Sequence, residues 1–181
     1  MTKNAPDRLR SMVVSAAMAA LALILPIAFH AVGLGSQFLP MLLPLLLNGF
    51  LVPLPWALLT GATVPIISSF MTGMPPMYPP VALEMSLEGA AIGGIASALY
   101  AFPRRRLWLA LLAAILISRL LGLAAMWLLA RMFDLPAGFV SAAMLIKGLP
   151  GVALQIVVVP LAIGQLRRSR NILFARDDNQ T

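Results

Sequence analysis

The chain of 181 residues is 61% hydrophobic and only 10% charged, and it has no cysteine. That leaves too little polar surface to cover a soluble globule of this size, so the composition places the protein in a membrane. The net charge of +7 would suit a nucleic-acid partner only if the basic residues were interleaved with polar and aromatic ones on a folded surface. Their clustering between apolar runs excludes that partner.

In chain order, the first apolar run covers 12–31 and follows Lys3, Arg8 and Arg10. A basic stretch before an apolar core is also the form of a signal peptide. Here the apolar part is long and further runs follow, so it is expected to remain as a first transmembrane helix. A run of about 20 apolar residues crosses a hydrocarbon core of roughly 30 Å as a helix, and 81–102, 107–130 and 140–165 also qualify. The apolar stretch between His30 and Met71 is too long for one crossing. Val52-Pro53-Leu54-Pro55 marks a turn inside it, which divides it into spans over 39–53 and 55–71. The reading is an all-α integral membrane bundle of six transmembrane helices, forming a single membrane domain over 1–181. No fixed-period repeat, low-complexity tract or soluble second domain interrupts it, and the polar tail from Arg176 to Thr181 is expected to fray.

The basic residues orient this bundle. Lys3, Arg8 and Arg10 precede the first span, Arg104, Arg105 and Arg106 lie between the fourth and fifth, and Arg167, Arg168, Arg170 and Arg176 follow the sixth. With six spans all three groups fall on one side, and the opposite loops carry only Arg131, with Asp134 nearby in sequence. The positive-inside bias then makes both termini cytoplasmic, in a multi-pass protein of the cell (inner) membrane.

The polar residues inside the apolar runs are the candidate functional groups. After Pro79-Pro80 a helix restarts, because proline is tolerated in a first turn. Glu84 falls in about that turn, where a helix N-terminus favours a carboxylate, so a purely local role is open to it. Glu88 lies one turn further on the same face, roughly 10 Å below the outer boundary. A charge at that depth costs about 2.5 to 3.5 kcal/mol on insertion scales, so it must face protein, water or a ligand. The same arithmetic places Asn48, Lys147 and Arg119 some 12 to 15 Å deep, near Glu88. His30 and Glu84 sit at the outer rim, and the inner half holds little beyond Gln155. Polar groups from several helices at one outer level are the pattern of a cavity entered from outside. The competing reading is that Glu88 and Lys147 or Arg119 only neutralise one another as structural ion pairs. The segment IKGLPGV, with Pro150 between Gly148 and Gly151, predicts an interrupted sixth span beside Lys147, which favours the cavity.

Two patterns concern packing. Gly89, Gly93 and Ser97, with Ala90, Gly94 and Ala98 alongside, give the fourth span a small-residue face for close helix contact inside the bundle. Ser15, Ala16, Ala19 and Ala20 near the inner end of the first span either pack internally or meet another membrane subunit.

The stretches FLPMLLPLLLNGF and PIISSFMTGMPPMYPPVALEMSLEG, in a six-span chain with cytoplasmic termini, resemble the substrate-binding membrane subunits (S components) of energy-coupling factor (ECF) transporters. The resemblance covers nearly the whole chain, and the Thr-Gly-Met-Pro-Pro run before a glutamate-bearing helix is its most specific part. Many members carry a histidine two residues after the proline of the first motif, where this chain has Leu42. The resemblance implies a small bundle that captures a vitamin-like micronutrient from outside and reorients on an energising module. That module consists of a transmembrane coupling protein and two ATPase subunits. It implies ligand contacts from the loop Gly33 to Phe38 and the outer halves of the later helices, which carry Glu84, Glu88, Arg119 and Lys147. It also implies contact between Ala16 and Ala20 and the coupling protein. The full candidate binding set is His30, Asn48, Glu84, Glu88, Arg119 and Lys147.

No G-x-x-x-x-G-K-[ST] phosphate loop is present, which agrees with ATPases on separate chains. With one histidine and no cysteine, the usual zinc and iron–sulfur frameworks are excluded, and neither metal nor cofactor is expected. Two other classes stay open. An intramembrane enzyme would use His30, Glu84 and Glu88 as acid, base or ligands, although no His-Glu-x-x-His, Gly-x-Ser-x-Gly or Asp-rich motif supports it. A non-catalytic scaffold subunit of a membrane complex would need only the ion-pair interior. Two carboxylates and two cations in one layer leave a zwitterion, an anion and a neutral heterocycle all possible as ligand.

Overall fold

A computed structural model describes residues 5–31, 33, 35–101, 107–135 and 142–177. Within them the chain forms helices only: α1 (Ala5–Ala31), the single turn α2 (Gly35–Phe38), α3 (Leu42–Leu51), α4 (Leu54–Thr72), α5 (Val81–Tyr100), α6 (Leu107–Met132) and α7 (Ala142–Asp177). Five of them, α1, α4, α5, α6 and α7, contain stretches long and apolar enough to cross a membrane.

The apolar run 39–53 is not helical over its whole length. Leu39 takes a left-handed conformation (φ 45°) before α3, and Val52 is extended (φ −126°, ψ 160°) after it. The turns consume both ends, leaving a helix of 10 residues, about 15 Å long. That helix is the most buried of all, with Leu42, Leu45, Leu46, Asn48, Gly49 and Phe50 enclosed. Leu42, at the position where many S components have histidine, is a core residue with no exposed surface.

α5 is the axis of the bundle and packs against α3, α4 and α6. Its small residues allow this. A Cβ on Gly61 of α4 would collide with the Gly89 carbonyl oxygen, and one on Gly89 would lie 2.6 Å from the Gly61 carbonyl oxygen. Gly49 of α3 is likewise pressed against the Gly93 carbonyl. Backbone thus meets backbone across both seams, the close approach that small residues permit in helix pairs. Ser97 continues the row, donating a hydrogen bond to the Val52 carbonyl (2.9 Å), and Phe50 meets Tyr100 edge-on with ring centroids 5.1 Å apart.

α1 lies on the outside. Ser15 and Ala22 are buried and Ala19 and Leu23 pack on the core. Met12, Val13, Ala16, Ala20, Ile24 and Ile27 are exposed on other faces. The four small residues of the first span therefore divide into an inward row, Ser15 and Ala19, and an outward row, Ala16 and Ala20.

α7 corrects the expected break. Pro150 and Pro160 both lie inside one continuous helix. A proline interrupts one backbone hydrogen bond, and in a membrane bundle neighbouring elements can take up the loss. Here Gly151 accepts the backbone of Phe38 directly, its Cβ position lying 3.2 Å from Phe38 Cα. The helix also runs past the expected end at 165 to Asp177, so Arg176 does not begin a frayed tail. Residues 178–181 lie outside the described residues, as do Lys3 and Arg104, Arg105 and Arg106.

The turn between α4 and α5 sets where the carboxylate helix begins. Gly73 closes α4 in the left-handed conformation (φ 72°) and donates to the Ser69 carbonyl (2.9 Å). The Ser68 hydroxyl donates to the Met74 carbonyl (2.7 Å). The Met74–Pro75 and Tyr78–Pro79 peptide bonds are cis. The Glu84 amide donates to the Pro80 carbonyl (3.2 Å), closing the first turn of α5.

Candidate functional site

Glu84 and Glu88 are one helical turn apart on α5, so their side chains project from the same face. That face meets α6, where Arg119 and Gly122 are also about one turn apart. Glu88 Oε1 lies 3.0 Å from Arg119 Nη1, and Glu88 is buried, with 4% of its surface exposed. The contact is a charge pair without well-aligned hydrogen bonding: the Glu88 Oε1 and Arg119 Nη2 atoms are both enclosed, and neither has a hydrogen-bond partner among the described residues. Arg119 also faces α7, its Nη1 lying 3.9 Å from the position a Cβ would take on Gly148. One guanidinium thus joins α5, α6 and α7.

Gly122 is the member of this group that motif reasoning misses. A Cβ there would lie 2.7 Å from Glu84 Oε1 and 3.4 Å from Glu88 Cδ, so both carboxylates lean into the space its missing side chain leaves. The available signal is its spacing: a lone glycine three residues after an arginine set inside an apolar run, on the same helical face.

The other expected residues are distributed differently. Asn48 is fully buried, but its Oδ1 accepts from the Ser15 hydroxyl of α1 at 3.4 Å and its Nδ2 has no partner. Because the adjacent Gly49 abuts Gly93, Asn48 sits more than a turn inward from Glu88 along α5, roughly 7 Å. His30 is exposed near the end of α1, its Nδ1 2.8 Å from the Pro26 carbonyl oxygen, with its ring against Gly35. Lys147 belongs to α7 next to Gly148, and its side chain lies outside the described residues. Gln155, two turns further along α7, is fully buried with neither amide atom bonded. Among the described residues no three His, Cys, Asp or Glu side chains come together as a metal site.

Five long apolar helices, with a buried carboxylate paired to a partly buried guanidinium between two of them, define a membrane protein that keeps charge within its apolar segments, where charge is costly and commonly marks a ligand or ion pathway. The chain belongs to the family of ECF transporter substrate-specific components, whose family model matches residues 10–163. It is therefore a transport subunit. No curated protein and no solved structure matches the chain.

Proposed function

We propose that the chain is the ligand-capturing subunit of an ECF-type ABC transporter in the cell membrane. In this reading it takes a small vitamin-like micronutrient from outside, and a transmembrane coupling protein with two ATPase subunits drives uptake. The observation that carries the proposal is the convergence of Glu84 and Glu88 on Gly122, with Arg119 paired to Glu88 and polar atoms of that pair still unbonded among the described residues. Buried polar atoms without partners are uncommon in finished interiors, and a ligand entering from the outer end of α5 would complete these. Lys147, beside Gly148, belongs to the same proposed site. Asn48 and His30 each bond within the chain, so the proposal depends on them least.

The topology we propose keeps six membrane-embedded segments, with α2 and α3 together serving as the second, and both termini in the cytoplasm. The outward row of Ala16 and Ala20 would meet the coupling protein. Purification of the tagged chain from its native membrane tests the whole reading: a coupling protein and ATPases should co-purify, and mass spectrometry should find a retained small molecule. Turnover of a substrate by the chain alone would instead make it an enzyme. Recovery with neither ligand nor ATPases would make it a scaffold.

A further inference from the structure

We infer that the exposed side of α6 carries a phospholipid headgroup site, in which the Arg131 guanidinium, held over Trp127, binds the lipid phosphate. The contact is separate from the Glu88–Arg119 pair and independent of the ligand the subunit carries.

One exposed face of α6 presents, in order, Trp108, Leu112, Leu116, Leu120, Trp127 and Arg131. Successive members are four or seven residues apart, which keeps them on one side of a helix. The two tryptophans stand about 28 Å apart at a rise of about 1.5 Å per residue, close to a hydrocarbon core of roughly 30 Å. Leucines fill the interval, and a tryptophan marks each end, as at the two interfaces of a bilayer. The order of leucine, indole and cation thus follows the order of acyl chain, interface and headgroup. At the same end of α6, exposed Tyr78 meets Phe133 edge-on with ring centroids 6.4 Å apart, which extends the aromatic level to the turn before α5.

Arg131 is fixed at that level. Its Cζ lies 4.8 Å from the centroid of the Trp127 ring. Stacking engages one face of a guanidinium and leaves its N–H edge open, and that edge is the fork that bonds two phosphate oxygens together. Among the described residues Arg131 forms no ion pair, with Asp134 or with any other carboxylate. A guanidinium that is unpaired in the chain and held at the interface is complementary to the phosphate that a phospholipid places there. Free phosphate offers the same oxygens, but only a lipid also covers the leucines.

The variant Trp56→Phe/Trp108→Phe leaves Trp127 as the only tryptophan, since the chain has 3. Titrating this full-length form, in phosphate-free dodecyl maltoside, with phosphatidylcholine brominated on its acyl chains reads occupancy as quenching of Trp127. Adding Arg131→Gln should raise the half-quenching concentration at least about tenfold, the effect of losing a hydrogen bond to a charged group. A digalactosyl lipid with the same brominated chains and no phosphate should bind the Arg131 form as weakly as phosphatidylcholine binds Arg131→Gln. Inorganic phosphate should not relieve the quenching. Unchanged quenching in Arg131→Gln would overturn the inference, as would equal affinity for the digalactosyl lipid. Absence of quenching would overturn it by placing Trp127 away from lipid, and relief by inorganic phosphate would do so by making this a site for a free anion.

Discussion

Glu88 and Arg119 face each other across the α5–α6 seam, with Oε1 and Nη1 3.0 Å apart, and neither completes its hydrogen bonding among the described residues. Such a pair stabilises only while both members are present, because removing one leaves the other buried and uncompensated. The arrangement makes stability and ligand binding separable by mutation.

Glu88→Gln or Arg119→Met alone should destabilise the ligand-free protein by on the order of 3 to 5 kcal/mol. The double variant Glu88→Gln/Arg119→Met should recover most of that loss, because neither member of the pair is left facing an empty partner position. It should still fail to bind ligand. Thermal melts with and without ligand measure both effects, and a double variant that melts normally and binds normally would remove the pair from the site.

Gly122 offers a cleaner separation. Gly122→Ala places a methyl group 2.7 Å from Glu84 Oε1, so the carboxylate must move, while the helix gains about 1 kcal/mol of propensity. The ligand-free melting temperature should hold within a few degrees and affinity should fall by about tenfold or more, equivalent to 1.4 kcal/mol. Unchanged affinity would show that Glu84 has no fixed role at the site.

The glycines of the α4–α5 seam should rank by what they touch. Gly61→Ala drives a methyl group into the backbone of Gly89, which cannot rotate away, whereas at Gly94 the obstacle is the terminal Cδ2 of Leu58 at 2.6 Å. Overpacking costs typically about 1 to 3 kcal/mol and more where nothing yields, so Gly61→Ala should be much the more harmful. Gly164 has nothing within 4 Å of its Cβ position, and Gly164→Ala should be neutral or slightly stabilising.

On α1 the two small-residue rows predict opposite phenotypes. Ala20→Trp or Ala16→Trp, on the exposed row, should abolish uptake while ligand binding by the isolated subunit stays nearly intact. Ala22→Trp, on the inward face that continues Ser15 and Ala19 and at a position with no exposed surface, should unfold the subunit. Comparable loss of binding and uptake in the Ala16 and Ala20 variants would place that row inside the bundle.

Reporter fusions test the orientation. Fusions after Phe102 and after Arg176 should be active only with a cytoplasmic reporter. Export of either would exclude a topology with both termini inside.

Composition and hydropathy alone established the membrane class and the approximate position of the long helices, because burying backbone polar groups in lipid leaves a helix as the natural form for each apolar run. Residue spacing also placed Glu84 and Glu88 on one face and showed the small-residue face of α5, since both follow from the period of a single helix. The meeting of Arg119 with Glu88, the turning of Asn48 toward Ser15 and the space at Gly122 required the tertiary structure. These depend on the depth and rotation of one helix against another, which are set by contacts such as Gly61 with Gly89 and Gly49 with Gly93. Counting residues from the ends of apolar runs cannot supply them, because turns at Leu39 and Val52 shorten α3 and shift its register by about a turn. The continuity of α7 through Pro150 has the same origin: the local sequence predicts a break, and the packing of Phe38 on Gly151 is visible only once the helices are assembled.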